Sequence, residues 1–308
     1  MAIRTDRTVR NRRLRRTGLW AVGLTALLAG CRNPAEPSLH QVESWITSQA
    51  LTPPATASDG AHGQGAALAL VPDVVASYPH DPAAFTQGLL LDGGVLYEST
   101  GLEGQSTLRE VDLATGNVLR RHDLPADVFA EGLALVGDRL IQISWQEQRA
   151  FTYDEHTFAS GPEFAYSGEG WGLCSDGTRL IMSNGSDRLT FRDPATFNPS
   201  GQVSVTLDGQ PVPMLNELEC VDGMVYANVW QTNQIVAIDP TDGFVTASID
   251  AANLWERMAD RDPAQQIDVL NGIAYDPADQ TFLVTGKLWP KLFRVRFVPS
   301  AATAPVVP

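Results

Sequence analysis

Cysteine and histidine, the side chains from which most transition-metal sites are built, are scarce in this sequence. Three cysteines and five histidines are spread over 308 residues, and neither type recurs at the spacing of a metal-ligand set. The composition argues against a cofactor held by such ligands, and we expect the chemistry of the chain to require no cofactor.

Basic residues are also few, and many of them lie at one end. The chain has 22 Lys and Arg against 36 Asp and Glu, and seven of the arginines fall within residues 1–30. Without those residues, 15 basic side chains remain against 35 acidic ones, a formal charge of −20. Because so acidic a domain repels a phosphate backbone, we do not expect nucleic acid as a partner.

Long apolar runs are missing as well. The run Leu19–Ala29 has eleven residues, whereas a spanning helix needs about 20. Because this run follows an arginine-rich stretch and precedes Gly30-Cys31, residues 1–30 are predicted to be an export signal, by Sec or Tat. The ending Leu28-Ala29-Gly30-Cys31 resembles a bacterial lipoprotein signal, with a plain secretory signal as the alternative. The resemblance implies that Cys31 is acylated and anchors the chain in the cell envelope, facing the periplasm or the exterior.

Three segments follow this signal. Residues 31–69 are rich in Pro, Ala, Ser and Gly and are predicted to form a flexible tether, because they bury too little apolar surface to fold. Residues 70–299 are predicted to form one folded domain, and residues 300–308 a disordered tail.

Five short stretches of the folded domain are similar to one another. Aligned on the residue before Gly-Leu or its equivalent, they place Gln87, Glu131, Trp171, Asn216 and Asn271 at spacings of 44, 40, 45 and 55 residues. A period of about 40–45 residues in a strand-rich sequence is typical of propeller blades with four strands each. We therefore predict an all-β fold, a five-bladed β-propeller in which these five side chains converge on the axis.

The last repeat contains three predicted strands, Asn271–Asp276, Phe282–Lys287 and Leu292–Phe297. The N-terminal segment Val71–Tyr78 is predicted to supply the fourth strand. Its addition would close the ring and remove the free sheet edges.

The longest spacing between repeats leaves room for one further element. Residues 250–259 are predicted to form a short helix, with Asp250 as its N-cap. This helix would lie between the fourth and fifth repeats.

Cys174 and Cys220 lie three and four residues after the key positions of their repeats. Because side chains alternate between the two faces of a strand, this difference points the two thiols to opposite faces. We therefore predict two buried free thiols, and the exported location leaves a disulfide as the alternative.

Several motifs between Tyr78 and Phe297 are long enough to compare with known families. They are Phe85-Thr86-Gln87-Gly88-Leu89, Tyr97-Glu98-Ser99-Thr100-Gly101-Leu102, Glu131-Gly132-Leu133, Gln142-Ile143-Ser144-Trp145, Trp171-Gly172-Leu173, Asn216-Glu217-Leu218-Glu219, Tyr226-Ala227-Asn228-Val229-Trp230-Gln231-Thr232 and Thr285-Gly286-Lys287-Leu288-Trp289-Pro290. Together they resemble the plant- and bacterial-type glutaminyl-peptide cyclotransferases. That family is a five-bladed propeller that converts the N-terminal glutamine of peptides or proteins into pyroglutamate with loss of ammonia. The resemblance implies the same fold, activity and substrates.

The resemblance also implies the residues of the site. The acid/base glutamate of the family falls on Glu131, by the Glu-Gly-Leu motif and its distance of 14 residues to Trp145. The other pocket residues fall on Phe85, Gln87, Phe129, Trp145, Trp171, Asn216, Trp230 and Lys287.

Each of these residue types can perform a step or a binding role in the reaction. The α-amine of the substrate attacks the γ-amide carbon of the same residue, so a proton must pass from the amine to the departing ammonia. One carboxyl group, here Glu131, can act first as base and then as acid. Lys287, Asn216 and the indole N–H of Trp230 can donate to the amide oxygen as it becomes negative. The aromatic side chains that can enclose the methylene chain are Phe85, Phe129, Trp145 and Trp171.

Three alternatives stay open at this point. A structural divalent cation could bind in the channel, and its candidate ligands are Glu98, Glu169, Glu217 and Glu219. A calcium-dependent lactonase on a propeller also places Glu and Asn at the axis. A lipid-anchored propeller without catalysis could bind envelope peptides. In each case a closed ring on a tether needs no second subunit, so we expect a monomer.

Overall fold

A computed structural model describes residues 66–259 and 261–300 of the chain. The predicted export signal with Cys31, most of the predicted tether and residues 301–308 lie outside the described residues. Within the described part the fold is all-β, as predicted, and none of its helices is long and apolar enough to cross a membrane.

The described residues form 22 strands and one short helix, α1. In chain order the elements are β1 (Leu68–Pro79), β2 (Thr86–Asp92), β3 (Val95–Thr100), β4 (Thr107–Val111), β5 (Val118–Asp123), β6 (Ala130–Val136), β7 (Arg139–Ser144), β8 (Arg149–Asp154), β9 (Phe164–Ala165), β10 (Leu173–Ser175), β11 (Leu180–Met182), β12 (Arg188–Arg192), β13 (Pro199–Ser204), β14 (Thr206–Leu207), β15 (Gln210–Pro211), β16 (Leu215–Val221), β17 (Met224–Val229), β18 (Gln234–Ile238), β19 (Val245–Asp250), α1 (Asn253–Glu256), β20 (Leu270–Asp276), β21 (Thr281–Gly286) and β22 (Lys291–Pro299).

Most strands pair with their neighbours in the chain. Strands β2–β5, β6–β9 and β10–β13 form three sheets of four strands each, in sequence order. A larger sheet joins β16–β19 to β20–β22 through β1. Strand β1 pairs antiparallel with β22 from Leu70 to Pro79, and its first three residues pair parallel with β19.

The five repeated motifs lie in, or immediately before, β2, β6, β10, β16 and β20. Each of these strands contacts the next, and β20 contacts β2. The backbones of neighbouring motifs approach so closely that the motif needs a glycine, and Gly132 is an example. Its amide donates to the carbonyl of Trp171 at 2.8 Å, and a Cβ on Gly132 would lie 2.4 Å from the backbone nitrogen of Leu173.

Apolar side chains fill the spaces between neighbouring sheets. Leu133 of β6 packs with Leu108 of the preceding sheet, whereas the adjacent Ala134 packs with Leu173 of the following one. Consecutive residues of a strand therefore face different neighbours, because side chains alternate across the sheet. One face of each sheet packs against the opposite face of the next.

This packing corrects the prediction for the two downstream cysteines. Cys174 and Cys220 form a disulfide, with Cα atoms 5.5 Å apart. Cys174 lies opposite Ile181 in its sheet and Cys220 lies opposite Val225, and these residues share one core cluster. The two cysteines do lie on different faces of their strands, but those are the faces that meet between neighbouring sheets. The prediction of free thiols is therefore wrong.

The prediction for the helix is also corrected. Helix α1 covers only Asn253–Glu256, and the residue in the N-cap position is Ala252, without a capping side chain. Asp250 ends strand β19, and its carboxylate accepts the amide of Ala252. An aspartate that bonds the backbone two residues on forms an Asx turn, which ends the strand instead of starting the helix.

Candidate active site

Four polar side chains from the repeated motifs are almost fully buried where the strands approach one another. They are Gln87, Glu131, Asn216 and Asn271, each at most 5% exposed. Three of them form one hydrogen-bonded chain. Asn271 Nδ2 donates to Oε1 of Gln87 at 3.1 Å, and Gln87 Nε2 donates to Oε1 of Glu131 at 3.1 Å. The convergence that the repeats predict is thus observed for Gln87, Glu131 and Asn271.

Glu131 has one engaged and one unengaged carboxyl oxygen. Oε1 accepts Gln87, whereas Oε2 is buried and has no hydrogen-bond partner among the described residues. Burial raises the pKa of Glu131 well above 4.5; the charge of Lys287 opposes this, and the charges of Glu169 and Glu147 add to it. A carboxyl group with a raised pKa exchanges its proton closer to neutral pH, as a general acid/base must.

Aromatic side chains line the site on either side of Glu169. Phe85 contacts Phe129 edge to face, with ring centroids 6.1 Å apart, and Phe129 contacts Trp145 at 5.7 Å. On the other side, Trp171 contacts Trp230 at 5.3 Å. These distances and angles are those of favourable edge-to-face pairs.

Glu169 joins the two aromatic groups. Its Oε2 accepts the indole N–H of Trp145 at 2.9 Å and that of Trp171 at 3.0 Å. A single carboxylate oxygen therefore connects two tryptophans that flank strands of different sheets, Trp145 after β7 and Trp171 before β10.

Lys287 is 5% exposed, and its Nζ lies 4.7 Å from the centre of the Phe85 ring. That distance is within the range of a cation–π contact. The backbone of Lys287 pairs with Val269, and the next residue, Leu288, donates its amide to Ala84 at 2.8 Å. The turn that carries the lysine is thus attached to the segment that carries Phe85.

The position of Trp171 depends on a glycine across from it. Gly185 has φ +77°, and a Cβ at this position would lie 2.6 Å from Cζ2 of the indole. Any side chain at residue 185 would both strain the backbone and displace the ring.

Asn216 occupies the equivalent position of β16. Its backbone carbonyl accepts the hydroxyl of Ser183 at 2.7 Å. In the part of the chain that the structure describes, its side-chain oxygen is buried without a hydrogen-bond partner. The contacts above place the other eight predicted site residues in two groups. Gln87 and Glu131 are joined by a hydrogen bond, and the second group comprises Lys287, Phe85, Phe129, Trp145, Trp171 and Trp230. Asn216 is placed only by its position in the repeat.

Sequence reasoning missed two members of this site. Asn271 was recognised as a repeat position but was not assigned to the site. The repeat alignment could have indicated its contact with Gln87, because the two residues occupy equivalent positions. Glu169 was considered only as a cation ligand. Glu169 lies two residues before Trp171, but nothing in the neighbouring sequence predicts its hydrogen bond to Trp145, which is 24 residues away.

The four glutamates proposed as cation ligands all accept hydrogen bonds from the protein. Glu98 accepts Thr86, Glu219 accepts the amide of Tyr275, and Glu217 accepts the amides of Leu89 and Ile273. Among the described residues, the one acidic and histidine cluster with ligand atoms within 4.8 Å of one another lies elsewhere, at Asp138, Glu155 and His156. A cation in the channel stays a prediction.

A family model, a relative of known activity and a solved structure point to the same family. The model of the family described as "Glutamine cyclotransferase" matches residues 45–297. A glutaminyl-peptide cyclotransferase of Arabidopsis thaliana is 43% identical over 232 residues, which cover 75% of this chain and 72% of that protein. The crystal structure of Myxococcus xanthus glutaminyl cyclase is similar with a TM-score of 0.71 and 41% identity, covering 76% of this chain and 99% of that one.

Proposed function

The chain belongs to the glutamine cyclotransferase family and is a glutaminyl-peptide cyclotransferase, and we propose that Glu131 moves the proton in its reaction. The observation that carries this proposal is the buried carboxyl group itself. One of its oxygens is held by Gln87 and the other is unengaged. Membership of this family sets aside the lactonase and the purely binding propeller as alternatives.

The atoms of the reaction balance around one carboxyl group. The α-nitrogen of the substrate bonds to the γ-amide carbon, loses a proton to Oε2 of Glu131 and closes a five-membered lactam. The bond from that carbon to the amide nitrogen then breaks, and Glu131 returns the proton so that ammonia leaves. Because an α-amine has a reference pKa of about 8, a carboxyl group with a raised pKa exchanges a proton with it at smaller cost.

Lys287, Asn216 and Trp230 are proposed to stabilise the oxygen of the tetrahedral intermediate. Two observations on Lys287 support this role. Its side chain is buried, and its positive charge is close enough to Glu131 to oppose the rise in the pKa of that carboxyl group. Charges and dipoles fixed in a water-poor site act more strongly than the same groups in water.

The aromatic side chains are proposed to hold the glutamine side chain of the substrate. Phe85, Phe129, Trp145 and Trp171 can enclose its methylene groups and keep water from the intermediate. Gln87 is proposed to orient Glu131, since its amide bonds the oxygen that faces away from the proton transfer. These roles rest on the chain of ring contacts and on the hydrogen bond from Gln87.

For the fold we propose a five-bladed propeller that β1 closes. The successive contacts of β2, β6, β10, β16 and β20, together with the pairing of β1 to β22, support this count. We further propose an exported monomer with Cys31 acylated, residues 31–69 as the tether, of which Leu68 and Ala69 already belong to β1, and residues 300–308 as the tail.

The pH dependence of turnover tests the role of Glu131. The purified protein is incubated with a Gln-initiated dipeptide, and ammonia release gives kcat/KM as a function of pH, with and without a chelator. The free α-amine of the substrate, with a reference pKa of about 8, by itself gives kcat/KM one acidic limb. Because Glu131 must also be ionised to accept the proton, it adds a second limb, which we expect well above pH 4.5, and we expect no effect of the chelator. A limb near the value of a solvated glutamate would contradict the proposal.

A further inference from the structure

Trp145 and Trp171 reach the same carboxylate oxygen from different parts of the chain. Trp145 follows β7, and Trp171 precedes β10. The two indole N–H groups lie 2.9 Å and 3.0 Å from Oε2 of Glu169. Bonds to a charged acceptor are among the stronger hydrogen bonds in proteins, so this oxygen fixes the orientation of both rings at once.

The segment that carries Glu169 is itself held in place. The amide of Gly170 donates to the carbonyl of Trp145 at 2.9 Å, and the hydroxyl of Tyr166 donates to the carbonyl of Ser144. The second carboxyl oxygen of Glu169 accepts the side-chain amide of Gln146 at 3.0 Å. The carboxylate therefore has little freedom to leave the two indoles.

Glu169 also lies on a segment that is bonded to the strand of Glu131, because the amide of Gly132, the residue after Glu131, donates to the carbonyl of Trp171 at 2.8 Å. After burial, which is the largest cause, the negative charges of Glu169 and Glu147 raise the pKa of Glu131, while the positive charge of Lys287 lowers it. One side chain thus affects both the aromatic wall and the proposed acid/base.

We infer that Glu169 is a positioning residue for the cyclisation, which clamps the indoles of Trp145 and Trp171 as one wall and sets a negative charge beside Glu131. This inference rests on the proposed site, because it assigns Trp145 and Trp171 to the substrate. It adds to that site a residue with two separable effects, one from hydrogen bonding and one from charge.

Two variants separate the effects. Glu169→Gln keeps an acceptor oxygen at the same distance along the side chain but removes the charge, whereas Glu169→Ala removes both. We expect Glu169→Ala to raise KM at least about tenfold, since it removes hydrogen bonds to a charged group. We expect Glu169→Gln to keep KM within about threefold but to move the limb of kcat/KM that belongs to Glu131 to lower pH, because a neighbouring like charge is removed. The limb of the substrate amine should stay in place.

The indole N–H resonances give a readout that does not depend on turnover. In protein with 15N-labelled tryptophan, the resonances of Trp145 and Trp171 should shift together in Glu169→Ala. The matched control is Glu163→Gln, which alters an exposed ion pair with Arg149 and should leave both resonances and the kinetics unchanged. Unchanged indole resonances in Glu169→Ala, or an unmoved limb of Glu131 in Glu169→Gln, would overturn the inference.

These outcomes are distinguishable from a failure of the proposed function. If Glu131→Gln retained full turnover, the role of Glu131 would be lost whatever the Glu169 variants did. If Glu131→Gln lost turnover while the Glu169 variants matched the wild type, the inference alone would fail.

Discussion

The side-chain amide of Gln87 lies 3.1 Å from Oε1 of Glu131, and both residues are at most 5% exposed. These residues are 44 positions apart in the sequence, in equivalent places of two successive repeats. The bond engages Oε1, whereas Oε2 has no hydrogen-bond partner among the described residues. In the proposed mechanism Gln87 thus determines that Oε2 is the oxygen that exchanges the proton.

Removal of this bond should lower activity without unfolding the protein. We expect Gln87→Ala to reduce kcat about 10- to 100-fold, because a hydrogen bond to a charged group is worth about 1.5–3 kcal/mol. Ammonia release from a Gln-initiated dipeptide measures the change. A variant with wild-type kcat and an unchanged melting temperature would show that the orientation of Glu131 does not depend on Gln87.

The contact between Gly185 and Trp171 allows a matched test of the aromatic wall. We expect Gly185→Ala to raise KM at least about tenfold, because the new methyl group displaces the Trp171 ring. Displacement of a binding group by about 1 Å can lower the rate up to about 100-fold. The control is Gly177→Ala. Gly177 has φ +85° but open space around its Cβ position, so it carries a similar backbone strain without displacing a ring. Equal KM values in the two variants would argue against a role for Trp171 in binding.

The disulfide between Cys174 and Cys220 should contribute to stability, since it closes a loop with a sequence separation of 46 residues. We expect Cys174→Ala/Cys220→Ala to lower the free energy of unfolding by about 2–4 kcal/mol. Urea unfolding of this variant and of the wild type, each with and without a reductant, measures the effect. The reductant should destabilise the wild type alone. Two free thiols at these positions in the oxidised wild type would contradict the assignment.

The buried pair His80 and Glu98 predicts a pH-dependent stability. Nε2 of His80 lies 2.9 Å from Oε1 of Glu98, and Nδ1 lies 2.7 Å from the carbonyl of Trp289. Only the protonated ring can donate from both nitrogens. Burial alone would lower the pKa of His80, but the charge and hydrogen bond of Glu98 outweigh it and raise the pKa above 6.5. Burial alone would raise the pKa of Glu98, but the charge and hydrogen bond of His80, together with the charge of Arg109 and the hydrogen bond of Thr86, outweigh it and lower the pKa below 4.5.

The signs of these shifts define a pH window. The contribution of His80 is fully present below pH 6.5 and is lost as the pH rises through its raised folded-state pKa. The contribution of Glu98 is present above pH 4.5 and is lost as the pH falls through its lowered folded-state pKa. We therefore expect the stability lost in His80→Gln, measured by urea unfolding, to be largest between these values and smaller at about pH 9. A loss that does not change with pH would contradict the charged pair.

Local patterns were sufficient to predict the strands of the last repeat. The predicted strands Asn271–Asp276, Phe282–Lys287 and Leu292–Phe297 match β20, β21 and β22 to within two residues at each end, because strand patterns and the turns between them are contained within a few residues. The repeat period likewise predicted which side chains approach one another, since equivalent positions of equivalent strands recur in space.

The errors came from relations between distant segments. The prediction that Cys174 and Cys220 lie on different faces of their strands was correct. The error was about packing, because those two faces belong to neighbouring sheets that pack against each other. The shared acceptor at Glu169 and the pair of His80 with Glu98 likewise depend on side-chain positions that no local pattern encodes. Asp250 was misread because the same side chain can cap a helix or end a strand.

Substitution of Glu131 by glutamine tests the central claim most directly, because it keeps the shape of the side chain and removes its ability to carry the proton. Ammonia release from a Gln-initiated dipeptide, with Glu163→Gln as the control, gives kcat/KM for each protein. We predict a loss of about 10²- to 10⁴-fold for Glu131→Gln, with an unchanged melting temperature. Turnover by Glu131→Gln within about threefold of the control would contradict the assignment of this carboxyl group as the acid/base.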